Sequence, residues 1–294
     1  MLKDYVNPRR SRAVGIWLLA ALVLVPSFLT AHPGIETRIE IVTEKIRQDP
    51  GNAELYVRRG ELHREHRDWD AALADFGRAA ELDPGLATVH LARGLLYFDT
   101  ERFAEAATEL DRFLLENPND SRGRTARARV WVQLGKHAAA AEDYDRAVAH
   151  SPRLTPQLYL ERARAWAGAG ERHVGRAILG LDEGMEKLGR IVTLQSFAIE
   201  LDLRVGSYDS ALKRLDQIAG SLPKERLLRR RGDILRAAGR NTDARFAYTQ
   251  AADHIDSLPP HRQSAKPLTE LRGELKAALA EIVAAAQIQS SEHK

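Results

Sequence analysis

An all-α solenoid of antiparallel helix pairs is the fold class that three observations on the sequence predict. Pro50, Pro84, Pro118 and Pro152 recur every 34 residues. Other positions keep the same phase: Gly60, Gly94 and Ala128; Ala72, Ala106 and Ala140; Phe76, Leu110 and Tyr144; Ala79, Phe113 and Ala147. Apolar helical stripes without a repeat partner stand at both ends of this ladder. Each class of position has a steric reason. A small residue midway along a first helix lets a second helix cross close to it, and a small residue near the start of the second helix does the same from the other side. The large residue four places later fills the gap between repeats. Proline then ends the second helix, because it has no amide donor and disfavours helical geometry in the residue before it.

In chain order, residues 1–31 come first and differ from the rest. Lys3, Arg9, Arg10 and Arg12 precede the apolar run from Ala13 to Val25, followed by Pro26 and the small residues Thr30 and Ala31. This is the layout of a secretory signal peptide cleaved after Ala31. The alternative is an uncleaved anchor with its basic end in the cytoplasm, although so short an apolar stretch before a proline is marginal for a stable span. Either reading carries the repeats across a membrane. The protein is then periplasmic or secreted in a bacterial envelope, or anchored to the inner membrane with its repeats outside the cytoplasm. With no cysteine in the chain, lipoprotein anchors, disulfides and thiolate chemistry are excluded.

Residues 32–50 are expected to form one helix with Ile35, Ile39, Val42 and Ile46 on one face. Pro50 closes it in the phase of the ladder, so it reads as the second helix of a truncated repeat, capping the first core. Residues 51–154 hold three regular repeats. Beyond Pro152 the phase slips, since the next matching proline, Pro223, lies 71 residues on, and residues 155–223 hold two degenerate repeats. Gly180, Gly184 and Gly189 each weaken a helix interior by up to about 1 kcal/mol, which marks this as the softest stretch. Residues 224–260 form a sixth repeat, with Gly232, Ala244, Tyr248 and Ala251 ahead of Pro259 and Pro260. In residues 261–294, Leu268, Leu271, Leu275, Leu279, Ile282 and Val283 make one stripe on a helix from about Pro267 to Gln289, before a polar tail. It reads as a cap over the last core or as a dimerisation helix.

Agreement of four position classes over three periods resembles the tetratricopeptide repeat family, closely over residues 53–154 and less regularly to 260. The resemblance implies a right-handed superhelix of about six repeats with terminal capping helices. Its concave groove would be lined by the first helix of each repeat and would bind protein or peptide partners. Carried over by register, the groove residues are Val57 in the first repeat, Leu91, Leu95 and Phe98 in the second, Arg122 and Arg129 in the third, and Arg164 in the fourth. An apolar strip beside arginines suits a peptide with a large apolar side chain and a nearby carboxylate, which arginine pairs through two parallel hydrogen bonds. The competing reading has Leu91 and Leu95 covered by neighbouring helices and the arginines merely solvated. The family's clamp for chaperone C-termini is not matched, because Val57, Glu61, Ala92, Arg122 and Ala126 stand at its positions.

Charge narrows the function classes further. The chain has 44 basic and 41 acidic residues, of which residues 1–31 hold four and one, leaving 40 of each sign. General attraction to nucleic acid is therefore not implied. Residues 51–120 carry eight basic and fifteen acidic side chains, whereas residues 121–172 carry ten and five. That asymmetry is a solvated surface, or it orients a partner or a head-to-tail contact between copies. His63 and His66 are three apart and not in the zinc-protease order. Gly168, Gly170 and Gly175 lack the lysine and hydroxyl of a phosphate loop, and no nucleophile sits in a recognisable elbow. No enzyme activity, cofactor or metal is expected. One minor alternative uses His32, which becomes the amino terminus after cleavage and would offer copper an amine and an imidazole. The expected function is an exported scaffold or adaptor for envelope proteins, the alternative being a self-assembling structural protein of the envelope.

Overall fold

A computed structural model describes residues 34–292, so the signal-peptide layout and His32 lie outside the described residues. The 34-residue period is rendered literally in its first half. The first helices α2 (Ala53–Glu65), α4 (Ala87–Asp99) and α6 (Ser121–Gln133) have 13 residues each. The second helices α3 (Trp69–Leu82), α5 (Phe103–Glu116) and α7 (His137–His150) have 14, as does α1 (Ile35–Gln48), which stands one period before α3. Asp68 and Asp120 cap the amino ends of α3 and α6 by accepting from the amides of Ala71 and Gly123. The turn inside each pair needs one residue with positive φ: Arg67, Glu101 and Gly135 hold that place in the first three.

Three further pairs follow: α8 (Pro156–Gly168) with α9 (Val174–Leu188), α10 (Val192–Arg204) with α11 (Tyr208–Gln217), and α12 (Lys224–Ala237) with α13 (Asn241–Asp256). A single turn, α14 (Pro260–Gln263), leads into the long α15 (Lys266–Glu292). Each helix packs on its neighbours in sequence order, which makes the all-α solenoid. Among the described residues no helix is long and apolar enough to cross a membrane.

The small–large pairing holds the pairs together. A Cβ added to Gly60 would stand 2.5 Å from the Phe76 ring, one on Gly94 2.6 Å from Leu110, and one on Gly232 2.4 Å from Tyr248. The less regular half uses the same device with the partners exchanged. Gly180 and Gly184 of α9 lie against Arg162 and Tyr159 of α8, where added Cβ atoms would meet those side chains at 2.9 and 2.7 Å. These two glycines are crossing points, so the helix propensity they forgo is offset by close packing.

A second ladder in the same phase lies inside. Asp75, Glu109 and Asp143 are 34 residues apart and buried. Each binds a base on its own first helix: Arg59 at 2.6 and 2.8 Å, His90 Nδ1 at 2.7 Å, and Arg127 at 2.7 Å. Asp143 also takes a 2.7 Å hydrogen bond from the buried Arg124. In the fourth pair Gly180 fills the acidic place, and the buried Arg162 donates instead to the Gly180 carbonyl at 2.9 Å and to Glu183 at 2.7 Å.

Candidate partner-binding groove

Stacking α4, α6 and α8 side by side leaves a groove of about 560 Å³ on the face formed by the first helices. Leu95 and Phe98 of α4, Ala126 of α6 and Leu158 of α8 supply its apolar surface, and Arg64, Arg122, Arg129 and Arg153 its basic one. Phe98 is fixed by an edge-on contact with Phe103, ring centroids 5.8 Å apart.

Of the residues expected from register, Leu95, Phe98, Arg122 and Arg129 converge here. Val57 and Leu91 do not. Both are buried, Val57 in the cluster around Phe76 and Leu91 in the one around Leu110. Val57 shares its cluster with Ala72 and Val89, and Leu91 with Ala106 and Val130, so these side chains build the core beneath the groove. Arg164 is also placed elsewhere, its guanidinium 5.7 Å from the centroid of Phe197 on α10. The α8 residues that do line the groove are Gln157, Leu158 and Glu161.

The arginines are tied to carboxylates of other repeats. Arg64 pairs with Asp99, Arg122 with Glu61 at 3.1 Å, and Arg129 with both carboxylate oxygens of Glu161 at 3.0 Å. Gln157 and the Tyr144 hydroxyl also donate to Glu161, at 2.7 and 3.0 Å. Burial acts to raise the Glu161 pKa, but the hydrogen bonds from Arg129, Gln157 and Tyr144 outweigh it and hold the carboxyl below its ordinary value. Burial, with the neighbouring Glu161 charge, pushes the Tyr144 hydroxyl well up. Arg153 has no ion pair among the described residues and adds open positive charge at one end of the groove. Glu161 and Arg153 escaped the register argument because the turn between α7 and α8 breaks the 34-residue phase.

A second groove, of about 550 Å³, lies between α10, α12 and α15. Its arginines 226, 229 and 230 face Glu200, Asp233, Glu270 and Glu274, and Arg229 already pairs with Asp233 and Glu274. The first groove sets four arginines against Asp99 and Glu161 and so has a net positive lining, whereas the second sets three against four carboxylates.

Three family models match the sequence: tetratricopeptide repeat at residues 53–86 and again at 91–158, and tetratricopeptide repeat-like domain at 181–280. Together they take in more than half of the chain. Among solved structures, YrrB, described as a tetratricopeptide repeat protein with an unusual peptide-binding site, is 21% identical with a TM-score of 0.54, over 64% of this chain and 96% of that one. The Pseudomonas aeruginosa pilF structure is 20% identical with a TM-score of 0.53, over 64% and 85%. PilW, described as a widely conserved type IV pilus biogenesis factor, is 18% identical with a TM-score of 0.53, over 63% and 85%. At these identities the likeness is one of fold. No curated protein matches the sequence.

Proposed function

Because this chain belongs to the tetratricopeptide repeat family, we propose that it is an exported, non-catalytic scaffold that takes a peptide segment of an envelope protein into the groove between α4, α6 and α8. The convergence of Leu95 and Phe98 with Arg122 and Arg129 on one groove carries this reading. A large apolar side chain of the partner packs on Leu95, Phe98 and Leu158, and a carboxylate nearby is met by Arg122 and Arg153. The pairing of Arg122 with Glu61 is exposed, so an incoming carboxylate exchanges one solvated contact for another at little cost. Peptide binding by YrrB, on the same fold, is consistent with this use of the groove. Export rests on the arrangement of residues 1–31, and the likeness to pilus biogenesis proteins agrees with an envelope setting. Contact with the membrane would be through residues 1–31 alone, if they stay attached.

The test is affinity capture from envelope extract with the wild type and with the double variant Arg122→Ala/Arg153→Ala. Both residues are solvent-exposed, so the fold persists. Losing about 1.4 kcal/mol or more of charge-assisted binding lowers retention of the captured proteins at least ~10-fold. Equal capture by the double variant removes the arginines from the site.

A further inference from the structure

The sequence Arg59-Gly60-Glu61-Leu62 in α2 recurs as Arg272-Gly273-Glu274-Leu275 in α15. The recurrence is in register. Gly60, Gly94 and Gly273 are each the eighth residue of their helix, and Leu268, Leu271 and Leu275 match Val89, Ala92 and Leu96 of α4 position for position. Those three leucines are buried, and α15 packs on α13 as every first helix packs on the second helix before it. By sequence and by packing, α15 is thus the first helix of a seventh repeat.

Among the described residues no second helix follows it. The equivalent Gly60 and Gly94 lie under Phe76 and Leu110 of their second helices. Among the described residues nothing stands within 4 Å of a Cβ added to Gly273. Among the described residues the opposite end shows the complementary half alone. Helix α1 is a second helix in phase with α3, α5 and α7, and no first helix precedes it among the described residues. Ile41 occupies the place of the buried Asp75, Glu109 and Asp143, yet is 48% exposed. An open groove of about 300 Å³ runs there between α1 and α2, lined by the apolar Ile41, Val42 and Leu62 and by both signs of charge, Arg38, Lys45 and Arg58 with Glu61 and Glu65.

We propose that copies of this chain associate head to tail, with α15 of one copy and α1 of the next forming one complete repeat. Glycine 273 then receives the second helix that its register anticipates, in the way Gly60 receives α3. The contact is heterologous, so each added copy presents a fresh end and growth continues along the solenoid axis. The partner groove between α4, α6 and α8 stays open in every copy.

Two exposed substitutions block the two ends separately. Gly273→Leu fills the space that α1 needs, and Ile41→Arg places a positive charge against Arg272 in the seat for α15. Each folds as the wild type does, because neither new side chain meets the packed interior, and melting curves check this. Sedimentation velocity is measured on protein recovered from the envelope of cells expressing the full chain. The wild type is expected to show dimers and larger species that grow with concentration, and each single variant a monomer. An equimolar mixture of the two variants retains one good end of each kind and yields dimers with nothing larger. A wild type that stays monomeric at every concentration overturns the proposal, including the case in which residues preceding Gly34 fill the α1 seat. So does a mixture that forms no dimer, or self-association of either variant at wild-type strength.

Discussion

Gly232 and Gly273 share a residue type and a helix position class but not an environment, and substitution by alanine separates them. At Gly232 the new Cβ meets the Tyr248 ring, an overpacking of about 1–3 kcal/mol that exceeds the helix-propensity gain of about 1 kcal/mol. At Gly273 only the gain remains. Thermal melts should therefore show Gly232→Ala below the wild type and Gly273→Ala level with it or above. The buried carboxylates make a sharper case. Asp143→Ala leaves Arg124 and Arg127 facing each other without their shared partner, a loss of about 3–5 kcal/mol by the usual cost of breaking a buried pair, readable in urea unfolding. The sequence shows Asp75, Glu109 and Asp143 in phase, but a spacing does not state which way a side chain turns, and by composition alone they read as surface charge. The same ambiguity put Val57 and Leu91 in the groove when both side chains are buried in the core.

Helices α6 and α8 are joined through the bond between Arg129 and Glu161, and the depressed Glu161 pKa gives this tie a pH dependence. A carboxyl whose folded pKa lies below its unfolded value of about 4.3 stabilises the fold above that pH and ceases to do so as pH falls through the folded value. The stability difference between the wild type and Glu161→Gln should thus be present at pH 7 and shrink below about pH 4, as followed by chemical denaturation at each pH. A difference that stays constant with pH would falsify the tie. Helices α1 to α7 were legible in the sequence because each proline restates the phase. The later pairs were legible in outline only. Their turns have different lengths, and their interior contacts run through Arg162, Gly180 and Tyr159 instead of the regular acid–arginine pair. The stripe on α15 was also legible, and it reads as a cap until Arg272-Gly273-Glu274-Leu275 is set against Arg59-Gly60-Glu61-Leu62.

Over the whole molecule, the solenoid presents first helices on one face and second helices on the other, and the proposed site belongs to the first kind. The outer face carries isolated apolar side chains, Leu115, Leu179 and Phe246 on three separate helices, and scattered exposure of this kind is ordinary for a protein surface. The groove instead gathers apolar and basic groups from three repeats within one concavity, as a peptide of several residues requires. A photo-crosslinking residue placed at Thr125, inside the groove, and separately at Leu179, on the outer face, distinguishes the two surfaces in intact cells. Envelope proteins should be trapped from Thr125 and not from Leu179. Trapping from Leu179 with none from Thr125 would contradict a groove-bound partner.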